Sequence, residues 1–247
     1  MAVREGRSAK WSTWEEPLVT GSMPGSTTLE ATPPPLIYGA GETSPAGPLY
    51  WATKRCFDVL FSAAGIICLL PLMTVVATVV RLSSHGPVFF KQTRIGRDGI
   101  PFAFYKFRSM EMGSEERKHA LLHRNQAEYP LFKMRDDPRV TPFGRVIRRL
   151  GIDELPQLWN VLRGDMTLVG PRPHLPEEVR EYRPRHWTRL EVTPGITCLW
   201  QVRARKELSF HEWIESDLEY VQRQCVWLDF SIMARTLLVL FSSDRVY

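Results

Sequence analysis

The run VLFSAAGIICLLPLMTVVATVV, residues 59–80, carries no charge from end to end, and Lys54, Arg55 and Arg81 bracket it. A straight helix of that length rises about 33 Å against a hydrocarbon core of roughly 30 Å, so the run predicts a membrane segment. Pro71 sits near its middle. There it removes a backbone hydrogen bond and predicts a kink. Two membrane topologies follow from these residues. Either the helix spans and the residues before it lie across the membrane, or it bends at Leu70–Pro71 and both ends return to one face as a re-entrant hairpin. Basic residues at both ends satisfy the positive-inside tendency twice in the hairpin. The remaining reading is a buried helix of a soluble core, which seldom runs so long without a charge.

Upstream, residues 1–48 hold Pro17, Pro24, Pro33, Pro34, Pro35, Pro45 and Pro48 among Gly, Ser and Thr. No apolar periodicity could bury a face there, so this part predicts a disordered tail. The apolar run begins too late for a signal peptide. A net charge of +5 and a pI near 9.1 point to an anionic partner: nucleic acid, a phosphorylated ligand or acidic lipid. Cys56, Cys68, Cys198 and Cys225 are scattered without a C-x-x-C pair, which argues against a disulfide framework or zinc site and for a reducing compartment.

Downstream, 87–96 (PVFFKQTRIG) and 101–110 (PFAFYKFRSM) read as extended segments around a turn at Gly96–Pro101. Helical patterns are expected at 114–124, 143–150, 154–163, 176–190, 209–223 and 227–241. The last sets Trp227, Phe230, Met233, Leu237 and Phe241 on one side, with Asp229 and Arg235 elsewhere. Such a helix lies on a bilayer surface or packs on the domain core. Neither a P-loop nor a strand-anchored G-x-G-x-x-G is present.

The densest stretch for chemistry is RVIRRLGIDELPQLWNVLRGDMTLVGPRP, residues 145–173. Leu155, Leu158, Trp159 and Leu162 recur at helical spacing, so a helix is expected to begin near Asp153 with Pro156 in its first turn. An Asp there has an ordinary explanation as an N-cap. Pro156, however, offers the cap no N–H, and no Glu or Gln closes a capping box. Adjacent carboxylates flanked by Arg148, Arg149, Arg163 and Arg172 also suit phosphoryl chemistry. A carboxylate that approaches a pyrophosphate needs cations against charge repulsion.

IDELPQLWNVLRGDMTLVGPRP, with GPVFFKQTRIGRDGIPFAFYKFRSM before it and TPGITCLWQVRAR after it, resembles the monotopic phosphoglycosyltransferases, or bacterial sugar transferases, in order and spacing from about Lys54 to the C-terminus. The tail over 1–48 lies outside the resemblance, which implies a membrane-associated α/β fold: a re-entrant membrane helix over 49–82 broken at Pro71, and a small cytoplasmic α/β catalytic domain over 83–247 with amphipathic interfacial helices. It implies transfer of a sugar-1-phosphate from a UDP-sugar to undecaprenyl phosphate, with release of UMP, as the initiating step of exopolysaccharide, O-antigen or capsule assembly. Asp153 becomes the nucleophile that carries a covalent phospho-sugar, and Glu154 its acidic partner, which orients or deprotonates the second substrate. Mg²⁺ is the implied cofactor, with Asp153 its protein ligand. Lys106, Arg148, Arg172, Arg205 and Asp217 match positions that contact phosphates or support the site.

The implied location is the cytoplasmic face of the bacterial inner membrane. Membrane lipid, a second copy of the chain and downstream glycosyltransferases are the implied partners, and nucleic acid is not among them. Cys198 and Ala204 stand where the family commonly has Gly, and Gly151 where Ser is frequent. Two other classes of function remain to be weighed: a non-enzymatic membrane scaffold, which predicts tolerance of Asp153→Asn, and a nucleic-acid binder, which rests only on net charge and on the aromatic and basic residues of 102–108.

Overall fold

The computed structural model describes residues 46–203 and 209–241, so the expected tail lies almost wholly outside the described residues. The two expected extended segments form an antiparallel hairpin, β1 (Phe89–Ile95) and β2 (Pro101–Phe107), in a register that pairs Phe90 with Lys106. A second, parallel pair was not foreseen. It joins β3 (Thr167–Val169) to β4 (Gly195–Thr197). Strands this short leave no period to read. Gly170 and Gly195 approach so closely that a Cβ on Gly195 would lie 2.1 Å from the Gly170 nitrogen.

Around these pairs lie α2 (Pro142–Leu150), α3 (Gln157–Arg163), α4 (Pro176–Arg180), α5 (Leu199–Arg203), α6 (Phe210–Arg223) and α7 (Val226–Phe241). The expected helix over 154–163 is split. Pro156 cannot donate to the carbonyl four residues back, so Ile152–Glu154 tightens into a 3₁₀ turn, with the Leu155 N–H on the Ile152 carbonyl at 3.2 Å. The expected helix over 176–190 is likewise divided, into α4 and a 3₁₀ segment over Pro184–Glu191. Pro184 disfavours helical geometry in the residue before it. The pattern at 114–124 forms 3₁₀ turns over Glu116–Arg124. Ile95, Val179, Leu190, Ile214 and Leu218 make the core beneath α4 and α6.

The apolar run forms one helix, α1 (Pro48–Ser83). Residues on both sides of Pro71 belong to this one helix, with the proline inside it. The hydroxyls of Thr74 and Thr78 donate to carbonyls one turn back at 2.9 Å, which hides their polarity within the apolar run. Its length and composition could cross a membrane.

Its burial pattern is the inverse of a soluble amphipathic helix. Lys54, Asp58 and Ser62 are buried, whereas Leu60, Ile67 and Leu70 are 60 %, 72 % and 56 % exposed. The same inversion holds in α7, where Asp229 and Ile232 are buried while Trp227 (82 %) and Leu238 (73 %) face outward. Apolar surface of this extent costs free energy in water and is stable against lipid.

Both ends of α1 are tied to the α/β part. Near the start, Arg55 donates to the Val161 and Leu162 carbonyls at 2.6 and 2.7 Å, so satisfying the C-terminal turn of α3. Asp58 accepts from the Thr167 hydroxyl (2.7 Å) and the Leu168 N–H (2.9 Å). Near the end, the Arg108 guanidinium donates to the carbonyls of Val80, Ser84 and His85 at 3.2, 2.7 and 2.9 Å. Val76 and Val80 pack on Phe107 and Ile147.

Candidate active site

Four elements bring the acidic pair and its cations together. Helix α2 is set directly against the residues after β2: a Cβ on Gly144 would come within 2.0 Å of the Ser109 carbonyl, so only glycine fits there. Thr141 caps the helix by accepting from the Gly144 N–H at 2.9 Å. At its other end Gly151 takes the left-handed conformation (φ 70°), which stops α2 and turns the chain into the Asp153–Glu154 turn. Lys106 comes from β2, Arg148 from the last turn of α2, and Arg172 from the loop after β3.

The two carboxylates are treated differently. Glu154 Oε1 accepts from Lys106 Nζ and from Arg172 Nη2, each at 3.0 Å. Asp153 is 6 % exposed, and no hydrogen bond from a described residue reaches its carboxylate. Burial raises the Asp153 carboxyl above its usual range, with Glu154 adding to the rise, while Lys106, Arg148 and Arg172 pull the other way. Burial also acts to raise Glu154, but Lys106 and Arg172 outweigh it and hold that group well below the usual carboxylate range. Burial lowers Lys106 and Arg148. For Arg172 burial works against the charge, and Glu154 more than reverses it. Arg148 Nε is aimed by the Ser109 hydroxyl at 2.9 Å.

These residues line one cleft of about 570 Å³. Arg94, Lys133, Trp200 and Trp213 line it as well, the two indoles stacked with centroids 4.9 Å apart. Arg94 and Trp200 fall inside stretches that carry the family resemblance, yet no spacing or pairing in the sequence set them apart. Asp217 is not among the lining residues. It is fully buried and paired with Arg189, itself 2 % exposed. Burial pushes the Asp217 carboxyl up to about 6 against the pull of Arg189. Arg205 lies outside the described residues.

No cluster of three or more His, Cys, Asp or Glu side chains suited to a metal occurs among the described residues. The cleft does offer a buried carboxylate, unbonded among the described residues, beside a second one. Mg²⁺ commonly binds through one or two carboxylates and completes its shell with water and substrate phosphates, so the donor set fits that ion.

An acidic pair in a basic cleft has the charge pattern that phosphate chemistry requires, and comparison with known proteins gives the chain a family. The profile described as bacterial sugar transferase matches residues 49–243, and the chain belongs to that family. It is 42 % identical over 188 residues to galactosyl transferase CpsE of Streptococcus agalactiae, covering 75 % of this chain and 41 % of that one. To the exopolysaccharide production protein ExoY of Sinorhizobium fredii it is 37 % identical, covering 79 % and 88 %. With the UDP-glucose:undecaprenyl-phosphate glucose-1-phosphate transferase of Caulobacter vibrioides it shares 38 % identity over 82 % and 76 %. The chain thus spans about two fifths of the first relative and most of the other two.

Proposed function

We propose that this chain transfers a hexose-1-phosphate from a UDP-sugar to undecaprenyl phosphate and so initiates assembly of an extracellular polysaccharide. The observation that carries the reading is the asymmetry of the acidic pair: Glu154 is bonded to two cations, and Asp153 is buried beside them without a hydrogen bond from a described residue. An Asp153 oxygen attacks the β-phosphorus of the donor, the bond from that phosphorus to the bridging oxygen breaks, and UMP leaves with the electron pair. An oxygen of the lipid phosphate then attacks the same phosphorus and expels the Asp153 carboxylate, giving undecaprenyl-diphospho-sugar. Lys106, Arg148 and Arg172 lower the repulsion between carboxylate and diphosphate. Glu154, held ionised, is a poor proton acceptor; its part is to fix Lys106 and Arg172. Asp153 is the residue that would hold Mg²⁺, which would supply further charge neutralisation.

Membrane placement follows the same reading. Asp58 and Val80 lie about 33 Å apart along α1, yet both ends of the helix are bonded to the α/β part. A helix so tied at both ends supports a segment that enters the bilayer without crossing it, on the cytoplasmic face where nucleotide sugars are made. The outward apolar surfaces of α1 and α7 support the same placement. Relatives whose names specify glucose and galactosyl transfer favour a neutral hexose donor.

The test is UMP release from UDP-glucose and UDP-galactose by detergent-purified protein with undecaprenyl phosphate and Mg²⁺. Release by wild type and none by Asp153→Asn is expected. Release by neither folded protein would favour the membrane scaffold, and equal release by both would remove Asp153 as the nucleophile.

A further inference from the structure

The segment that presents Arg172, residues 171–174, has no regular secondary structure, and its two prolines have no N–H to donate. All four of its carbonyls are nevertheless bonded, each by a different donor. Pro171 accepts from the Gly195 N–H at 2.8 Å and His174 from the Ile95 N–H at 3.0 Å. Pro173 accepts from Arg94 Nη1 at 3.0 Å, and Arg172 from Arg189 Nη2 at 2.7 Å. All three nitrogens of the Arg189 guanidinium are engaged. Its Nε and Nη2 donate to Asp217 Oδ2 and its Nη1 to the Tyr182 hydroxyl, which also bonds His174 Nδ1 at 2.8 Å. Arg189, Asp217 and Tyr182 do not line the cleft.

We propose that Arg189, held by Asp217, is a positioning residue for Arg172: it fixes the backbone from which the Arg172 guanidinium reaches Glu154 and the donor's diphosphate. The inference rests on the proposed function, and it gives Asp217 a part at the site that needs no contact with substrate. A buried Arg and Asp cost solvation that a core of apolar residues would not. Here the planar guanidinium spans three acceptors at once: a carboxylate, a hydroxyl and the Arg172 carbonyl. A lysine keeps the charge but not that fork, so the carbonyl contact is the one it cannot reproduce together with the others. Misplacement of a charged contact by about 1 Å can cost up to about 100-fold in rate.

A double-mutant cycle tests this with full-length protein in detergent. Arg189→Lys is expected to lower kcat/KM for UMP release about tenfold with little change in thermal midpoint, and Arg172→Ala about 100-fold. In the Arg172→Ala background, Arg189→Lys should change the rate less than about twofold, because the group it positions is gone. A tenfold loss in both backgrounds would mean that Arg189 serves the fold alone and would overturn the proposal, as would no loss in the wild-type background. Should Arg189→Lys not fold, Tyr182→Phe removes one of the three contacts more gently, with a loss of about threefold that must likewise vanish without Arg172. UDP titration of the Asp153→Asn protein gives the same cycle without turnover. Coupling in that titration while wild type releases no UMP would break the proposed function and leave the positioning intact. Absence of coupling there, or of UDP binding, would overturn the positioning as well.

Discussion

Two buried charge clusters in this molecule use similar side chains to opposite ends. In the first, at the start of α1, Lys54 Nζ donates to the Val169 carbonyl (2.8 Å), the Tyr220 hydroxyl (3.4 Å) and Asp229 Oδ2 (2.7 Å). Asp229 accepts further from Tyr50 (2.9 Å) and Tyr220 (2.7 Å), so both of its oxygens and the ammonium are used. In the second, around Asp153, three cations surround a carboxylate that receives no hydrogen bond from a described residue. A closed cluster gives its free energy to the fold, because every desolvated group is compensated inside the protein. An open cluster leaves a desolvated carboxylate available to a partner from outside the protein.

The sharpest way to break that contrast is to neutralise each cluster's carboxylate or cation and measure rate and stability together. Asp153→Asn should lose UMP release by at least about 1,000-fold while its thermal midpoint stays level or rises, since it removes a buried and unbonded charge. A fall in stability comparable to that of core variants would mean that Asp153 belongs to the fold. For the closed cluster, Lys54→Met leaves Asp229 buried and unpaired, and should cost about 3 kcal/mol, roughly 10 °C in thermal midpoint, with kcat of the folded fraction nearly unchanged.

Between the clusters in expected size stands Asp217. Its carboxyl, pushed up to about 6 by burial, is charged above that pH and neutral below it. As pH falls through 6 the hold on Arg189 weakens, so the ratio of wild-type to Asp217→Asn rates should fall toward one; a ratio constant from pH 8 to 5 would remove Asp217 from the site's chemistry. Smallest is Tyr50→Phe, which takes a single half-buried donor from Asp229 and should cost about 1 kcal/mol in denaturant unfolding without altering the rate.

The same contrast explains what could be read early. Residues 145–173 exposed the acidic pair because catalytic types cluster there within one short stretch, and the β1–β2 hairpin was visible because its aromatic segments flank a Gly–Pro turn. Lys54 and Asp229 were invisible as partners: separated by most of the chain, they looked like a flanking basic residue and an off-face acid of two apolar helices. Their burial, with leucines and a tryptophan turned outward, inverts the pattern on which such readings rest.

By itself the sequence determined the long apolar helix, the family resemblance and the acidic pair, since each is written in contiguous residues whose chemistry is local. Only the tertiary structure decided which carboxylate is bonded and which is left unbonded by the described residues, that Asp217 lies beneath the cleft rather than in it, and that both ends of α1 are tied to the α/β part. Those distinctions depend on desolvation and on hydrogen bonds between residues far apart in the chain, and these exist only once the chain has closed around them.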